Sequence, residues 1–412
     1  MLYSRWLETL GNHRDRIAVI DGADTWTFGD LADRLEKMTR AHEPVLASGG
    51  VPEVAVAVLR GWRDSQPVLP LEKDAAEPEL PAAMPAGTAH LKLTPGIAGK
   101  PRAVFFTAEQ IAADGDRLVA AMGLSHAVPN LAAVSVTHSY GFSSIMLPLL
   151  LHGVPVHAVE VPFPRVVAEA FAAHDRLVVP AVPSIWRAWH RSGILVGAPI
   201  ALAVSAGAPL SLELETAVFG SCGLKLHNFY GASECGGISF DATSVPRACA
   251  SDLGSPLDGV TVNVHESGRF LVASSAVASG YTETRDGEIL GEGCFLTQDY
   301  GSISEGRLAL GSSGAESINV AGRKIGPAKV EAVLMATGLV LRARVFGVPA
   351  QDPERVEEIT ALVELKGGSL EELRQAVLAK LAGWECPRHW VSDAEEPLWK
   401  MSRAELKARF GR

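Results

Sequence analysis

No apolar run in this chain is long enough to cross a bilayer. The most apolar stretch, Ile145 to Leu151, stops at His152, well short of the roughly 20 residues a spanning helix needs. The first 16 residues also lack an unbroken apolar segment, because Arg5, Glu8, Arg14 and Asp15 interrupt it, so they do not read as a secretion signal. Cysteine is scarce. Cys222, Cys235, Cys249, Cys294 and Cys386 are odd in number, scattered and without a C-x-x-C pair, which argues against a disulfide framework or a zinc site and makes a reducing cytoplasm the expected compartment. Positive charge is short as well: 37 Lys and Arg against 47 Asp and Glu leave a net charge of −10. Without a broad basic field, neither nucleic acid nor an anionic membrane is an expected partner. A phosphate-bearing ligand would have to be held locally.

What is present is the composition of an ordinary globular protein with many tight turns, 47% hydrophobic and 20% charged with 40 glycines in 412 residues. That length suggests two or three folding units. Short β-branched runs at 54–59, 103–106, 132–136, 154–159, 176–179 and 201–204 read as buried strands. Helical patterns at 108–121, 166–173 and 210–218 alternate with them, which implies parallel β-α-β units and an α/β class. After about Val260 the strands shorten and turns intervene, as at 261–264, 270–272 and 307–310, suggesting an antiparallel segment. Gly311 to Glu316 has the small, polar composition of a hinge, so the expected division is 1–311 and 312–412. The second part reads as α+β, with helices at 328–335 and 369–381 and strands at 344–348 and 360–363. Its Ser369-Leu370-Glu371-Glu372 is a capping-box start. Residues 72–87, rich in Pro, Ala and Glu, read as a surface loop with no core face.

The chemistry-bearing segments begin with Leu93-Thr94-Pro95-Gly96-Ile97-Ala98-Gly99-Lys100-Pro101-Arg102, a glycine-containing loop running into an apolar strand. Glycines let backbone N–H groups approach a phosphate, Thr94 adds a hydroxyl, and Lys100 or Arg102 can supply charge. Pro101 stands where a Walker loop needs Ser or Thr for magnesium, so that motif is excluded. Taken alone, such a loop is more often a plain turn than a phosphate site. It is followed in order by Ser205-Ala206-Gly207-Ala208-Pro209-Leu210, by Tyr230-Gly231-Ala232-Ser233-Glu234, by Thr297-Gln298-Asp299, and by Pro397-Leu398-Trp399-Lys400-Met401-Ser402-Arg403.

In that order these segments resemble the core motifs of the adenylate-forming superfamily, which includes acyl-CoA synthetases, luciferases and peptide-synthetase adenylation domains. The resemblance spans about Thr94 to Leu406. It implies a large N-terminal domain of stacked sheets with flanking helices and a small mobile C-terminal domain. The implied activity is ATP- and Mg²⁺-dependent activation of an acyl or aryl carboxylic acid to an acyl-adenylate, then transfer to the thiol of CoA or of a carrier protein's phosphopantetheine, so an acyl carrier protein is a candidate partner. Thr94, Gly96, Gly99 and Arg102 would hold the β- and γ-phosphates. Gly207, Ala208 and Pro209 would line the adenine, with Phe229 and Tyr230 stacking near it beside Gly231. Ser233 would touch the α-phosphate, Glu234 would bind Mg²⁺, and Asp299 would take the ribose hydroxyls. Lys400 would bridge the α-phosphate and the carboxylate. His138 matches the histidine ahead of the acid pocket, meeting phosphates or gating the acyl tunnel; the bland reading is a histidine satisfied by a strand-end carbonyl. Tyr140, Gly141, Ser184, Ala206, Gly236 and Gly237 are the implied acid-pocket lining. Gly322, Arg323 and Lys324 fall in a loop that would serve the thiol step.

The chain also departs from that pattern. Pro95, Ile97 and Ala98 stand where the family prefers hydroxyls, and Arg102 replaces a Lys. Ser312 and Ser313 replace the hinge Gly-Arg pair and Glu316 the hinge Asp, while Gln298 and Trp399 each replace a Gly. The region before Thr94 is short for the family. Two rival readings therefore stay open: adenylation with delivery to an amine or hydroxyl, and a catalytically weak nucleotide-binding scaffold. For Trp186 and Trp189, an i, i+3 pair, core packing is the expected role.

Overall fold

The β-branched runs assemble side by side. In a computed structural model that describes residues 1–76, 78–81, 83–94, 102–311, 318–320, 323–350, 357–392 and 396–411, six strands pair in parallel: Ile17–Asp21, Val156–Ala158, Asn130–Ala132, Leu177–Ala181, Ile200–Ser205 and Leu226–Ala232. Gly236–Phe240, Asp252–Pro256 and Arg307–Leu310 continue this sheet antiparallel. Leu177–Ala181 is buried at every position, as a strand covered on both faces should be. A second, five-stranded sheet runs in the order Gly280–Tyr281, Arg102–Thr107, Thr88–Thr94, Val68–Pro70, Val45–Ala47.

Local signals explain most of the helices. Ala108–Met122 starts at a capping box between Thr107 and Gln110 and stops at Gly123, which is left-handed. Leu370–Leu378 starts at the Ser369–Glu372 box. Ser139–Gly141 passes through a π-helical turn, Phe142–Met146, into Leu147–His152. Trp186 and Trp189 on Pro183–Ser192 are fully buried and meet edge to face, 5.2 Å between centroids.

Two sequence expectations are corrected. Residues 54–59 are not a strand; they lie within the helix Val51–Asp64, capped by Gly50 with Pro52 in its first turn. Val54, Ala55, Val56, Val58 and Leu59 are all buried, and an apolar run buried on most sides carries no period to separate helix from strand. The loop at 72–87 does have a core face, because Leu80 and Met84 pack against Leu69, Leu71, Leu91, Ala103 and Phe105.

The chain divides into two units, Met1–Asn263 with Phe270–Thr297 and Ile303–Ala309, and Leu310–Arg412 with Val264–Arg269 and Gln298–Ser302. The first is α/β. The second has its own core around Val330, Val345, Ala361 and Val377, built on Val340–Pro349 antiparallel to Glu357–Leu365 and parallel to His389–Ser392. Of the expected hinge at 311–316, all but Gly311 lies outside the described residues. No helix among the described residues is long and apolar enough to cross a membrane.

Candidate active site

Several strands of the first unit end at one place. Val68–Pro70 leads to Leu71 and Glu72, Thr88–Thr94 ends in Lys92, Leu93 and Thr94, and Ile200–Ser205 leads to Ala206 and Gly207, while Leu226–Ala232 brings Phe229, Gly231, Ala232 and Ser233. These residues line a cavity of about 570 Å³. In α/β sheets the crevice beyond the carboxyl ends of the strands is where ligands bind. The opposite wall is the turn and helix at 137–143: Thr137, His138, Ser139, Tyr140, Phe142 and Ser143.

The rim is polar. Glu72 Oε1 accepts hydrogen bonds from the hydroxyls of Ser135 and Thr137, both at 2.6 Å, and lies 3.2 Å from His138 Nε2. Burial works to raise the Glu72 pKa, but the two hydroxyls and the nearby imidazole outweigh it and hold the carboxyl below its usual range. The His138 side chain is 72% exposed and opens to the cavity, with Glu72 rather than a strand-end carbonyl beside it. Inside the rim, Ser139 Oγ donates to Ser233 Oγ at 3.0 Å, joining the wall to the loop after Leu226–Ala232. Tyr140 stacks on Phe229 with centroids 6.0 Å apart, a flat aromatic surface, and burial pushes its phenol pKa up.

The floor holds the groups that sequence reading missed. In Thr88–Thr94, His90, Lys92 and Thr94 share one face by the two-residue period, and all three are buried. His90 is fully buried with neither ring nitrogen hydrogen-bonded, and its ring lies 4.3 Å from that of Phe142. Burial first, then the charge of Lys92, keeps it neutral. The Lys92 ammonium sits over the Phe106 ring, 4.8 Å from its centroid. Beside them Asp114 accepts from Ser143 Oγ at 2.5 Å and from the Gly237 amide at 3.0 Å. Gly236 has φ +69°, and a Cβ there would fall 2.1 Å from Asp114 Oδ1, so only glycine fits. The alternation His-Leu-Lys-Leu-Thr was visible in the sequence, but it reads as a strand with one wet face; the covering cavity wall reverses that meaning.

The other expected site residues are distributed as follows. Thr94 lines the cavity, its hydroxyl donating to the Arg102 carbonyl at 3.3 Å across the hairpin. Gly96 and Gly99 lie outside the described residues. Arg102 is already committed: its terminal nitrogens grip Glu288 at 2.7 and 2.9 Å, and its guanidinium lies 3.5 Å from the Tyr281 ring centroid. In this structure its guanidinium is taken up by Glu288 and Tyr281. The Tyr281 hydroxyl donates to Glu234 Oε1 at 3.0 Å, leaving the second carboxylate oxygen of Glu234 without a described hydrogen bond. Gly207 lines the cavity with φ +78°, whereas Ala208 and Pro209 are exposed and do not. Phe229 lines the cavity, whereas Tyr230, its neighbour in the strand, points to the other face and meets Phe270 with centroids 6.4 Å apart.

Among the expected acid-pocket residues, Tyr140, Ala206, Gly236 and Gly237 line the cavity; Gly141 and Ser184 do not. Gly141 instead lets the helix start pack on a turn, since a Cβ there would lie 2.0 Å from the Ser135 carbonyl oxygen. Ser184 is exposed on the first turn of Pro183–Ser192. Asp299 is an exposed residue in Cys294–Ser304 and belongs to the second unit. Lys400 ends the helix Glu396–Lys400 of that unit, where Arg344 Nη1 donates to the Trp399 carbonyl at 2.9 Å and Arg342 lies over the Trp399 ring. The side chains of Lys400, Arg323 and Lys324, and all of Gly322, lie outside the described residues. No cluster of three metal-ligating side chains occurs among the described residues. A single carboxylate such as Glu234 nevertheless suits magnesium, which keeps waters and shares phosphate oxygens.

Comparison with known proteins gives a consistent picture. The family described as AMP-binding enzyme matches residues 39–300. The sulfoacetate–CoA ligase of Cupriavidus necator is 26% identical over 396 residues, covering 90% of this chain and 74% of that protein. The 2-succinylbenzoate–CoA ligase of Salmonella typhimurium is 32% identical over 152 residues, 36% of this chain and 32% of that protein. Among solved structures, ATP-bound MatB from Rhodopseudomonas palustris superposes with a TM-score of 0.79 at 18% identity, covering 100% of this chain and 98% of that one. The o-succinylbenzoate coenzyme A synthetase of Bacillus subtilis, in complex with ATP and magnesium ion, gives 0.76 at 19% identity, covering 94% and 95%. At those identities the structures speak for the fold.

Proposed function

The chain belongs to the AMP-binding enzymes, and on that footing we propose that it uses ATP to activate a carboxylic acid as an acyl-adenylate and passes the acyl group to a thiol. One observation carries the reading: the cavity at the strand ends gathers Thr94, Ser139, Gly207, Phe229 and Ser233 from four separate segments, a flat wall for a base and hydroxyl donors for phosphate. In the first step a carboxylate oxygen attacks the α-phosphorus, the C–O–P linkage forms, and the bond to the β-phosphate breaks to release pyrophosphate. In the second, thiolate sulfur attacks the acyl carbon and AMP leaves with the bridging oxygen.

Two anions must be brought together, so alignment and fixed positive or donor groups supply most of the rate. Ser139 and Ser233, hydrogen-bonded to one another, stand ready as phosphate donors. Tyr140 and Phe229 form a wall against which a planar group can lie. His138, on the exposed rim, can meet phosphate or gate the acid's entry. Magnesium, held by Glu234 together with the nucleotide's own oxygens, would neutralise charge on the departing pyrophosphate. Lys400 is assigned the ammonium that draws the carboxylate to the α-phosphate, and Asp299 the ribose.

The named relatives act on acids as different as sulfoacetate, 2-succinylbenzoate and long-chain fatty acids, and CoA is the acceptor common to their names. CoA is accordingly proposed as the acceptor here, with a phosphopantetheine carrier as the rival arm of the test. Acid-dependent exchange of pyrophosphate into ATP is expected without any thiol, with AMP release accelerated by CoA. Lys400→Ala should slow the exchange about a hundredfold while ATP still binds. Exchange with no acid of a broad panel would overturn the assignment and leave nucleotide binding alone.

A further inference from the structure

Lys92 is 5% exposed, lines the cavity, and among the described residues donates no hydrogen bond to protein; its ammonium rests on the Phe106 ring. A buried ammonium is costly unless something pairs with it. Asp114 is the nearby candidate and its charge, like that of Glu234, favours the ammonium, but burial outweighs them; the Asp114 carboxylate already accepts from Ser143 and from the Gly237 amide, and no contact within 4.0 Å joins it to Lys92 among the described residues. His90, two residues earlier on the same strand face, has both ring nitrogens buried without partners. Ser143 and Phe142 complete this corner. One ammonium and one imidazole, neither hydrogen-bonded among the described residues and both lining an open cavity, form a receptor for an anion.

Accepting the adenylation reading, we infer that the acid carries a second anionic group, a carboxylate or sulfonate, and that Lys92 is its counter-ion on the cavity floor. The reacting carboxylate is then held at the hydroxyl-lined end near Ser139 and Ser233, and the distal anion takes the Lys92 ammonium and the His90 N–H. The floor selects for dianions and against a plain alkyl chain, which would leave the ammonium buried and unpaired. Lys92 is therefore a specificity-determining residue.

Exchange kinetics on the full chain test this with length-matched acids: succinate and 3-sulfopropionate against butyrate. The wild type is expected to favour the dianions at least tenfold in kcat/KM. Lys92→Met keeps the aliphatic stem on Phe106 while removing charge; it should raise KM for both dianions at least tenfold and leave butyrate unchanged or improved, and Lys92→Arg should restore part of the loss. A wild-type preference for butyrate, an equal loss for all acids, or a rise confined to the KM for ATP would overturn the inference. If no acid supports exchange, the adenylation reading fails separately, and calorimetric titration of succinate into wild type and Lys92→Met still decides: binding that depends on Lys92 sustains the floor assignment, and absent or unchanged binding ends it. Melting curves of both variants confirm that they are folded.

Discussion

Both terminal nitrogens of Arg102 are held by Glu288, with side chains only 11% and 13% exposed, and that pairing decides what the residue can do for a nucleotide. A bidentate, largely buried pair is not released cheaply; removing one partner of such a pair costs about 3 kcal/mol or more. Glu288→Gln should therefore lower the melting temperature by several degrees while changing the KM for ATP less than about twofold. A large rise in the ATP KM, with stability intact, would return Arg102 to the phosphates. At this scale the sequence was legible where a residue's place follows from its motif, as for Ser233 and Gly207, both on the cavity. It was silent on His90 and Lys92, because whether an alternating strand shows its polar face to water or to a cavity depends on residues 137–143, which are distant in sequence.

Among elements, the one that most directly holds the site is Leu226–Ala232, and a buried charge network ties it to its neighbours. Glu215 on the helix Leu212–Cys222 is fully buried; it pairs with Lys225, just before that strand, and with Arg247 Nε at 2.9 Å. Lys225 also contacts Asp241 at 2.7 Å, and Asp241 contacts Arg307 at 3.0 Å. Burial works to raise the Asp241 pKa, but Lys225 and Arg307 reverse it, so its carboxyl stays below its ordinary range. Glu215→Ala would leave Arg247 buried without a carboxylate and Lys225 with Asp241 alone, and should cost about 3 to 5 kcal/mol in denaturant unfolding; a loss under 1 kcal/mol would mean that the network is not what fixes the strand. Such pairings cannot be read from sequence, since no spacing rule links residues 215, 225, 241, 247 and 307. The helix Val51–Asp64 was hidden for another reason: burial on most of its faces erased the periodicity. The helices Ala108–Met122 and Leu370–Leu378 were plain, because their capping boxes are local chemistry.

For the molecule as a whole, a net charge of −10 argues against a broad phosphate-attracting surface and for positive charge placed at single points. Lys92 in the first unit and Lys400 in the second are the two such points in this account. The ordered motifs from Thr94 to Lys400 made the fold class and family legible from sequence, because each is short, local and rich in turn-forming residues. The substrate was not, since it depends on a cavity assembled from separate segments. The central claim, that a carboxylate oxygen attacks the α-phosphorus of ATP, is tested most directly by isotope. With an accepted acid labelled with ¹⁸O in its carboxylate and with thiol present, AMP should emerge carrying one ¹⁸O on its phosphate; label appearing in inorganic phosphate, or AMP formed without label, would contradict it.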